Sequence, residues 1–528
     1  MTNGIPHRGI PFFVADDVRY NFSVYDVVRK GMPTSMRQGF DNEKYIELQA
    51  ANIRKRIAQF GGKLYLEFGG KLFDDYHASR VLPGFEPDTK FRMLESLVDD
   101  VEIVIAINAN HIEKGKTRGD LGIPYDEDVL RLIDVFRSRG FLVGSVVLTQ
   151  YANQPAADAY RHRLEQLGVT CRLHYPIAGY PHDIERIVSD DGYGKNEYIE
   201  TTRPLVVVTA PGPGSGKLAT CLSQLYHEHQ RGIDAGYAKY ETFPIWNLPL
   251  NHPVNIAYEA ATVDLDDANI IDPFHLEAYG ETTVNYNRDV EAFPVLKAMM
   301  ERIMGESPYA SPTDMGVNMA GYAIVDDDAC RDAARLEIVR RYFAAAVHLK
   351  RTGTGEEQVE RLRSIMNRAG VTPDLSPARA VALEKEAATG APAGAMVLPD
   401  GHVVTGKTGD LLGAASALLM HALKAVTGVD ETIPVIDDAA IEPICRLKTE
   451  HLNSVNRRLH SDETLIALSI TSATSPVAAR VIDGLKQLQG CDAFFSVIIS
   501  STDEALYRKL GINVCCEPKY ERVSLYHR

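Results

Sequence analysis

The most chemically suggestive feature of the sequence is a lysine with three glycines in the five positions before it. Residues 206–220 read Val206-Val207-Val208-Thr209-Ala210-Pro211-Gly212-Pro213-Gly214-Ser215-Gly216-Lys217-Leu218-Ala219-Thr220. An apolar run enters a glycine-rich turn ending Gly-Lys, and a helical pattern continues through Leu222, Leu225 and Tyr226. Glycines let successive backbone N–H groups face one concavity, a helix N-terminus adds positive potential, and a lysine reaches phosphate oxygens. This P-loop-like arrangement points to a small anionic or phosphorylated ligand, with ATP or another nucleotide as the expected cofactor. Its binding residues would be Gly212, Gly214, Ser215, Gly216, Lys217 and Thr220. Two positions depart from the pattern G-x-x-x-x-G-K-[ST]. Pro211 stands at the first glycine, and Leu218 replaces the hydroxyl residue that holds Mg²⁺. Thr220 lies two residues further, about 200° round a helix, a poor geometric substitute. The alternative is a glycine turn that serves only tight strand–helix packing.

Two further segments could complete such a site. Residues 235–244 read as the next strand, with Lys239 and Glu241 at its end. This stretch resembles the dethiobiotin-synthetase-like branch of P-loop enzymes, which implies Lys239 as a second phosphate lysine; a solvated strand-end lysine is the alternative. Residues 260–267 form an apolar run ending in aspartate, the way a strand presents a carboxylate to Mg²⁺. Asp264 is the first candidate metal ligand and Asp272, after a neighbouring run, the second; solvated turns are the alternative for both. Lys217, Lys239 and Asp264 would then carry catalysis, either phosphoryl transfer or ATP-dependent carboxylate activation. The competing function is a non-catalytic metabolite-binding or assembly protein, and Leu218 favours it. His227-Glu228-His229 has metal-ligand types, but i and i+2 face different sides of a helix, so it reads as a surface helix end. Gly406-Lys407-Thr408-Gly409 follows a hairpin instead of a parallel strand and reads as a turn and helix start. No Gly-x-Ser-x-Gly elbow or His-Glu-x-x-His helix is present.

Strand-like and helix-like segments alternate along the first half of the chain. Apolar, β-branched runs at 63–68, 101–109, 141–151, 169–175 and 204–209 are separated by amphipathic stretches such as 42–60, 125–139 and 156–167. That rhythm predicts an α/β fold with a mostly parallel, doubly wound sheet, its strands covered on both faces. Ligands in such sheets sit beyond the carboxyl ends of the strands. The loops expected there are Gly69-Gly70-Lys71, the basic stretch 108–118, Ala178-Gly179-Tyr180 and 211–217. Residues 295–370 read as a helical subdomain and 371–528 as an α+β domain, leaving 1–294 for the sheet. The last domain opens with a hairpin around Pro399-Asp400-Gly401, followed by a small-residue helix at 410–426. Strands are expected at 465–470, 493–500 and 512–516, and helices at 476–488 and 503–510.

Composition narrows the function classes. With 528 residues the chain is long enough for three or four domains of roughly 150 residues. Lys plus Arg is 56 against 71 Asp plus Glu, a net charge of −15 that disfavours nucleic acid or an anionic membrane as partner. No apolar run approaches a membrane span, and the opening residues show no signal-peptide pattern. Seven cysteines without a Cys-x-x-Cys pair suit reduced thiols in a cytoplasm. Cys515-Cys516 reads as buried strand. The helix around residues 340–349, rich in small and apolar side chains, suits close packing against another helix, and a homo-oligomer is the default expectation.

Over nearly its full length the sequence resembles a bacterial family known as domain of unknown function 1846. Residues 209–217 and 219–227 carry the resemblance most clearly. Asn108-Ala109 with Ile112-Glu113-Lys114, and Arg118-Gly119-Asp120-Leu121-Gly122, add to it. The resemblance implies a bacterial, cytoplasmic, multi-domain protein and supplies no catalytic residues.

Overall fold

The computed structural model describes residues 37–521, apart from 71, 74 and 119–121. The chain start, Lys71 and the Gly119-Asp120-Leu121 part of the family-like stretch therefore lie outside the described residues. Two compact units are present: Gly39–Arg331, and a second comprising 37–38 with 332–521.

The first unit contains strands β1 (Leu64–Phe68), β2 (Val101–Asn108), β3 (Leu142–Thr149), β4 (Cys171–Leu173), β5 (Leu205–Thr209), β6 (Gly236–Tyr240), β7 (Asn269–Ile271), β8 (Val284–Tyr286) and β9 (Gly316–Val317). Seven of them form one sheet in the order β4-β3-β2-β5-β1-β6-β9, with every pairing parallel. The small pair β7–β8 is antiparallel. All five residues of β5 are buried, as are all but the last of β2. Central strands of a parallel sheet must be covered on both faces, which explains their near-continuous apolar character. Helix Tyr125–Ser138 shows the covering side: Val129, Leu132, Ile133 and Phe136, at helical spacing, are its buried apolar stripe. The α/β class and the parallel sheet agree with the sequence reading.

The sheet order fixes a switch point. From β2 the chain turns to β3 on one side; from β5 it crosses β1 to β6 on the other. Right-handed crossovers in opposite directions put their helices on opposite faces, opening a crevice between the carboxyl ends of β2 and β5.

The second unit has a mixed sheet of β10 (Ala393–Val397), β11 (Val403–Lys407), β12 (Asp492–Phe495) and β13 (Asn513–Cys516), ordered β11-β10-β12-β13. β10 pairs antiparallel with β11 and β12, and β12 parallel with β13. The hairpin turn uses Gly401 at φ 85°, a conformation glycine adopts without strain. Cys516 is buried at the end of β13, and all seven cysteines are unpaired. The stretch suited to packing another helix lies in helix Asp327–Thr352 and packs within its own unit. Arg340 makes two 2.9 Å bonds to the Asp492 carboxylate, and Phe343 meets Phe494 edge-on at 4.9 Å.

Two expected strands are helical. Residues 260–261 end helix Pro253–Ala261, and Asp264 follows in a single 3₁₀ turn, Val263–Leu265. Proline at the first turn and the His252 cap start that helix, and Val254, Ile256, Ala257 and Ala260 bury its apolar face. Residues 465–470 lie in helix Ser461–Ser472, because burial follows Thr464, Ala467, Leu468 and Thr471 at helical spacing. Among the described residues no helix is long and apolar enough to cross a membrane.

Candidate functional site

Residues 211–216 leave β5 at the switch point and lead into helix Lys217–Gln230. Side chains at the ends of the neighbouring strands hold the loop. Asn108 Nδ2, at the end of β2, donates to the Gly214 carbonyl at 3.1 Å. Thr149 Oγ1, at the end of β3, donates to the Ser215 carbonyl at 2.8 Å. In a trans peptide the N–H points opposite to the carbonyl of the same plane. Pinning the carbonyls of Gly214 and Ser215 therefore turns the N–H groups of Ser215 and Gly216 the other way. Gly214 and Gly216 hold φ values of 74° and 85°, which let the chain fold into this shape. Among the described residues, the N–H groups of Gly214, Ser215, Gly216 and Lys217 donate to no acceptor. Gly212 is required for another reason: a Cβ there would lie 2.1 Å from the Tyr125 hydroxyl.

The loop borders a cavity of about 470 Å³. Its lining includes residues 214–219 with Glu67 of β1, Asn108 of β2, Thr149 of β3, His174 just after β4, and Tyr180. Three of the four loops expected at the sheet edge thus contribute to one cavity: 108–118, 178–180 and 211–217. Lys217 Nζ has no hydrogen bond or ion pair among the described residues. His174 is buried, and burial pushes its imidazole down to about 3, so it is neutral at physiological pH. Near Gly214, His111 is lowered by burial and then by Lys116 and Lys114. His111 Cε1 would lie 3.4 Å from a Cβ on Gly214.

The model of "Domain of unknown function DUF1846, N-terminal" matches residues 38–370, and that of "Domain of unknown function DUF1846, C-terminal" matches 374–526. A UPF0371 protein of Corynebacterium diphtheriae is 59% identical over 93% of this chain and 99% of its own length. A UPF0371 protein of Streptococcus pneumoniae is 56% identical over 93% of this chain and its entire length. The chain belongs to the DUF1846 family. The family description assigns no function, so any role of these residues rests on their geometry.

In this DUF1846 protein the other candidate residues lie away from the loop or are already occupied. Lys239, on β6, does not line the cavity. Its ammonium is 2.6 Å from Glu241 Oε1 and also pairs with Asp289. Burial alone would push Asp289 up, but Lys239 more than offsets it and holds the carboxyl below its ordinary range. Burial pushes Glu241 up. Asp264 is exposed on its 3₁₀ turn. Asp272 is fully buried, and its carboxylate accepts from Phe274 N, His275 N, Thr313 N and Thr313 Oγ1. Thr220 Oγ1 donates to the Gly216 carbonyl one turn back and is buried. Leu218 lines the cavity at the position of the metal-binding hydroxyl.

The expected surface helix end at 227–229 holds only for His229. Glu228 is fully buried, and one carboxylate oxygen accepts from Lys63 Nζ at 2.5 Å and Tyr65 OH at 2.6 Å. The sequence reading did not single out Glu67 or Thr149. Glu67 could have been found as the one charged residue near the carboxyl end of an apolar strand run; Thr149 carries no comparable mark.

Proposed function

We propose that this DUF1846 protein binds a phosphorylated small molecule, its phosphate seated on residues 212–217. The observation that carries this reading is the set of N–H groups of Gly214, Ser215, Gly216 and Lys217 that donate to no described acceptor, beside a Lys217 ammonium with no described partner at a helix start. Backbone donors and a helix dipole favour an anion there, and Lys217 adds a full charge. Gly212 leaves room for the Tyr125 hydroxyl beside the loop, and Thr220 anchors the first helical turn.

A nucleotide such as ATP is one such ligand. The Mg²⁺ donors expected from the sequence do not fit, however. Asp272 spends its oxygens on four internal donors, Asp264 sits on an exposed turn, and Leu218 has no oxygen in its side chain. The likeness to dethiobiotin-synthetase-like enzymes would bring Lys239 to the phosphate, but Asp289 and Glu241 already hold its ammonium. Binding is thus better supported than phosphoryl transfer, whose main need is positioned positive charge.

Calorimetric titration with pyrophosphate, ATP and GTP, each with and without Mg²⁺, tests the reading. Wild type should bind, with little dependence on Mg²⁺. Lys217→Ala should bind roughly tenfold or more weakly, the loss of one charge-assisted contact. Absence of binding by wild type would remove the proposal. Mg²⁺-dependent turnover abolished by Asp264→Asn would replace it with the phosphoryl-transfer reading.

A further inference from the structure

Besides Lys217, the same cavity contains a carboxylate, Glu67, whose cross-strand neighbour is Lys239. Glu67 lines the cavity from β1, directly beside β5, in register with Val208. Tyr237 OH donates to Glu67 Oε2 at 2.9 Å. Glu67 Oε1 accepts no hydrogen bond from any described residue, and Lys217 Nζ has no described partner either. Nor do the two form an ion pair with each other, although both line one cavity. Opposite charges that share a partly enclosed space attract strongly. When both keep their capacity open, a ligand with complementary ends completes them.

The nature of the second end follows from the surrounding groups. A carboxylate repels phosphate and other anions, so the part of the ligand near Glu67 must donate hydrogen bonds or carry positive charge. Two of the amides that line the cavity are committed to the protein. Asn108 bonds Gly214 and Asn110, and Asn196 bonds Tyr175 N and Ser223. The cavity also offers Glu67 Oε1, which accepts from no described residue, together with tyrosines, Tyr180 among them. A carboxylate that takes hydroxyls while aromatic rings cover C–H faces suits a polyol ring. The volume of about 470 Å³ is in the range of small-ligand cavities.

Resting on the phosphate reading above, we propose that the ligand is a phosphorylated polyol, a sugar phosphate or the ribose phosphate of a nucleotide. Its phosphate lies on residues 212–217 and its hydroxyls on Glu67. Glu67 acts as a specificity determinant, and Tyr237 positions it.

The test titrates the full chain with inorganic phosphate, ribose 5-phosphate, AMP and O-phosphoethanolamine. It uses wild type, Lys217→Ala, Glu67→Gln and Tyr237→Phe, each checked for folding by thermal melting. Ribose 5-phosphate or AMP should bind wild type about tenfold more tightly than inorganic phosphate, the worth of one well-placed charge-assisted hydrogen bond. Which of the two binds more tightly separates a free sugar phosphate from a nucleotide. Glu67→Gln should shrink that preference to about threefold or less while leaving inorganic phosphate binding unchanged or stronger, and Tyr237→Phe should fall between. The proposal is overturned if phosphate binds through Lys217 but the polyol phosphates bind no more tightly. It is equally overturned if O-phosphoethanolamine, which brings an ammonium instead of hydroxyls, is preferred. No binding of any probe by wild type would overturn the phosphate reading itself and this inference with it.

Discussion

Thr149 Oγ1 donates to the carbonyl of Ser215, 66 residues later in the chain, at 2.8 Å. The bond joins the end of β3 to the glycine-rich loop across β2, and both partners are buried. It matters because a carbonyl held on one side of a peptide commits the N–H to the other. Thr149 thus helps shape an anion cradle without offering a donor to the anion.

Replacing Thr149 by valine keeps the volume and removes the donor. The Ser215 carbonyl then has no side-chain partner in a buried place, a loss of about 1–3 kcal/mol. Urea unfolding of Thr149→Val should show that loss. Pyrophosphate affinity should fall as well, although no charge has changed. A variant with lowered stability and unchanged affinity would show that the loop keeps its shape without this bond.

Lys239 is expected to be a structural residue. Its ammonium lies between Asp289 and Glu241, and its side chain is 21% exposed. Removing it leaves two carboxylates close together in a largely buried place, where breaking an ion pair costs about 3–5 kcal/mol. Lys239→Met should destabilise the first unit on that scale. Lys239→Met with Glu241→Gln and Asp289→Asn should recover much of the loss. Thermal melting of the single and triple variants checks this, and a triple variant no better than the single would contradict it.

In the second unit, His460 Nδ1 lies 3.2 Å from Asp503 Oδ2. The Asp503 hydrogen bond raises the imidazole above its ordinary value, and burial only partly counters it. For Asp503, burial raises the carboxyl, but His460, Ser461 and Ser500 outweigh it and hold it low. A raised histidine contributes stability that is complete below its unfolded pKa of about 6.5 and lost as pH climbs through the folded value. A lowered aspartate contributes above about 3.9 and loses that as pH falls through its folded value. The pair therefore stabilises most between these limits. The His460 side chain is 37% exposed, so solvent screening keeps its share to about 1 kcal/mol or less. His460→Ala should cost more stability at pH 5.5 than at pH 8.5, measured by urea unfolding of the full chain at both.

Local features were legible in the order of residues. Alternating apolar runs and amphipathic stretches specified parallel strands and covering helices, because side-chain period and burial are properties of neighbouring residues. Glycines before Lys217 specified a turn into a helix start, and Asp400-Gly401 specified a hairpin. Even locally, the reading of 260–264 and 465–470 as strands failed, since short apolar runs suit a buried helix equally well. The tertiary structure decided everything that depends on strand order. Insertion of β5 between β2 and β1 puts Asn108 and Thr149 against the loop and Glu67 in the cavity with Lys217. It also decided that Lys239 is bound by Asp289 and that Asp272 is spent on Thr313. These pairs are separated by tens of residues, and no local periodicity records them. Sheet order is selected by the packing of the whole core, so residues far apart in sequence share a site only after the chain has folded.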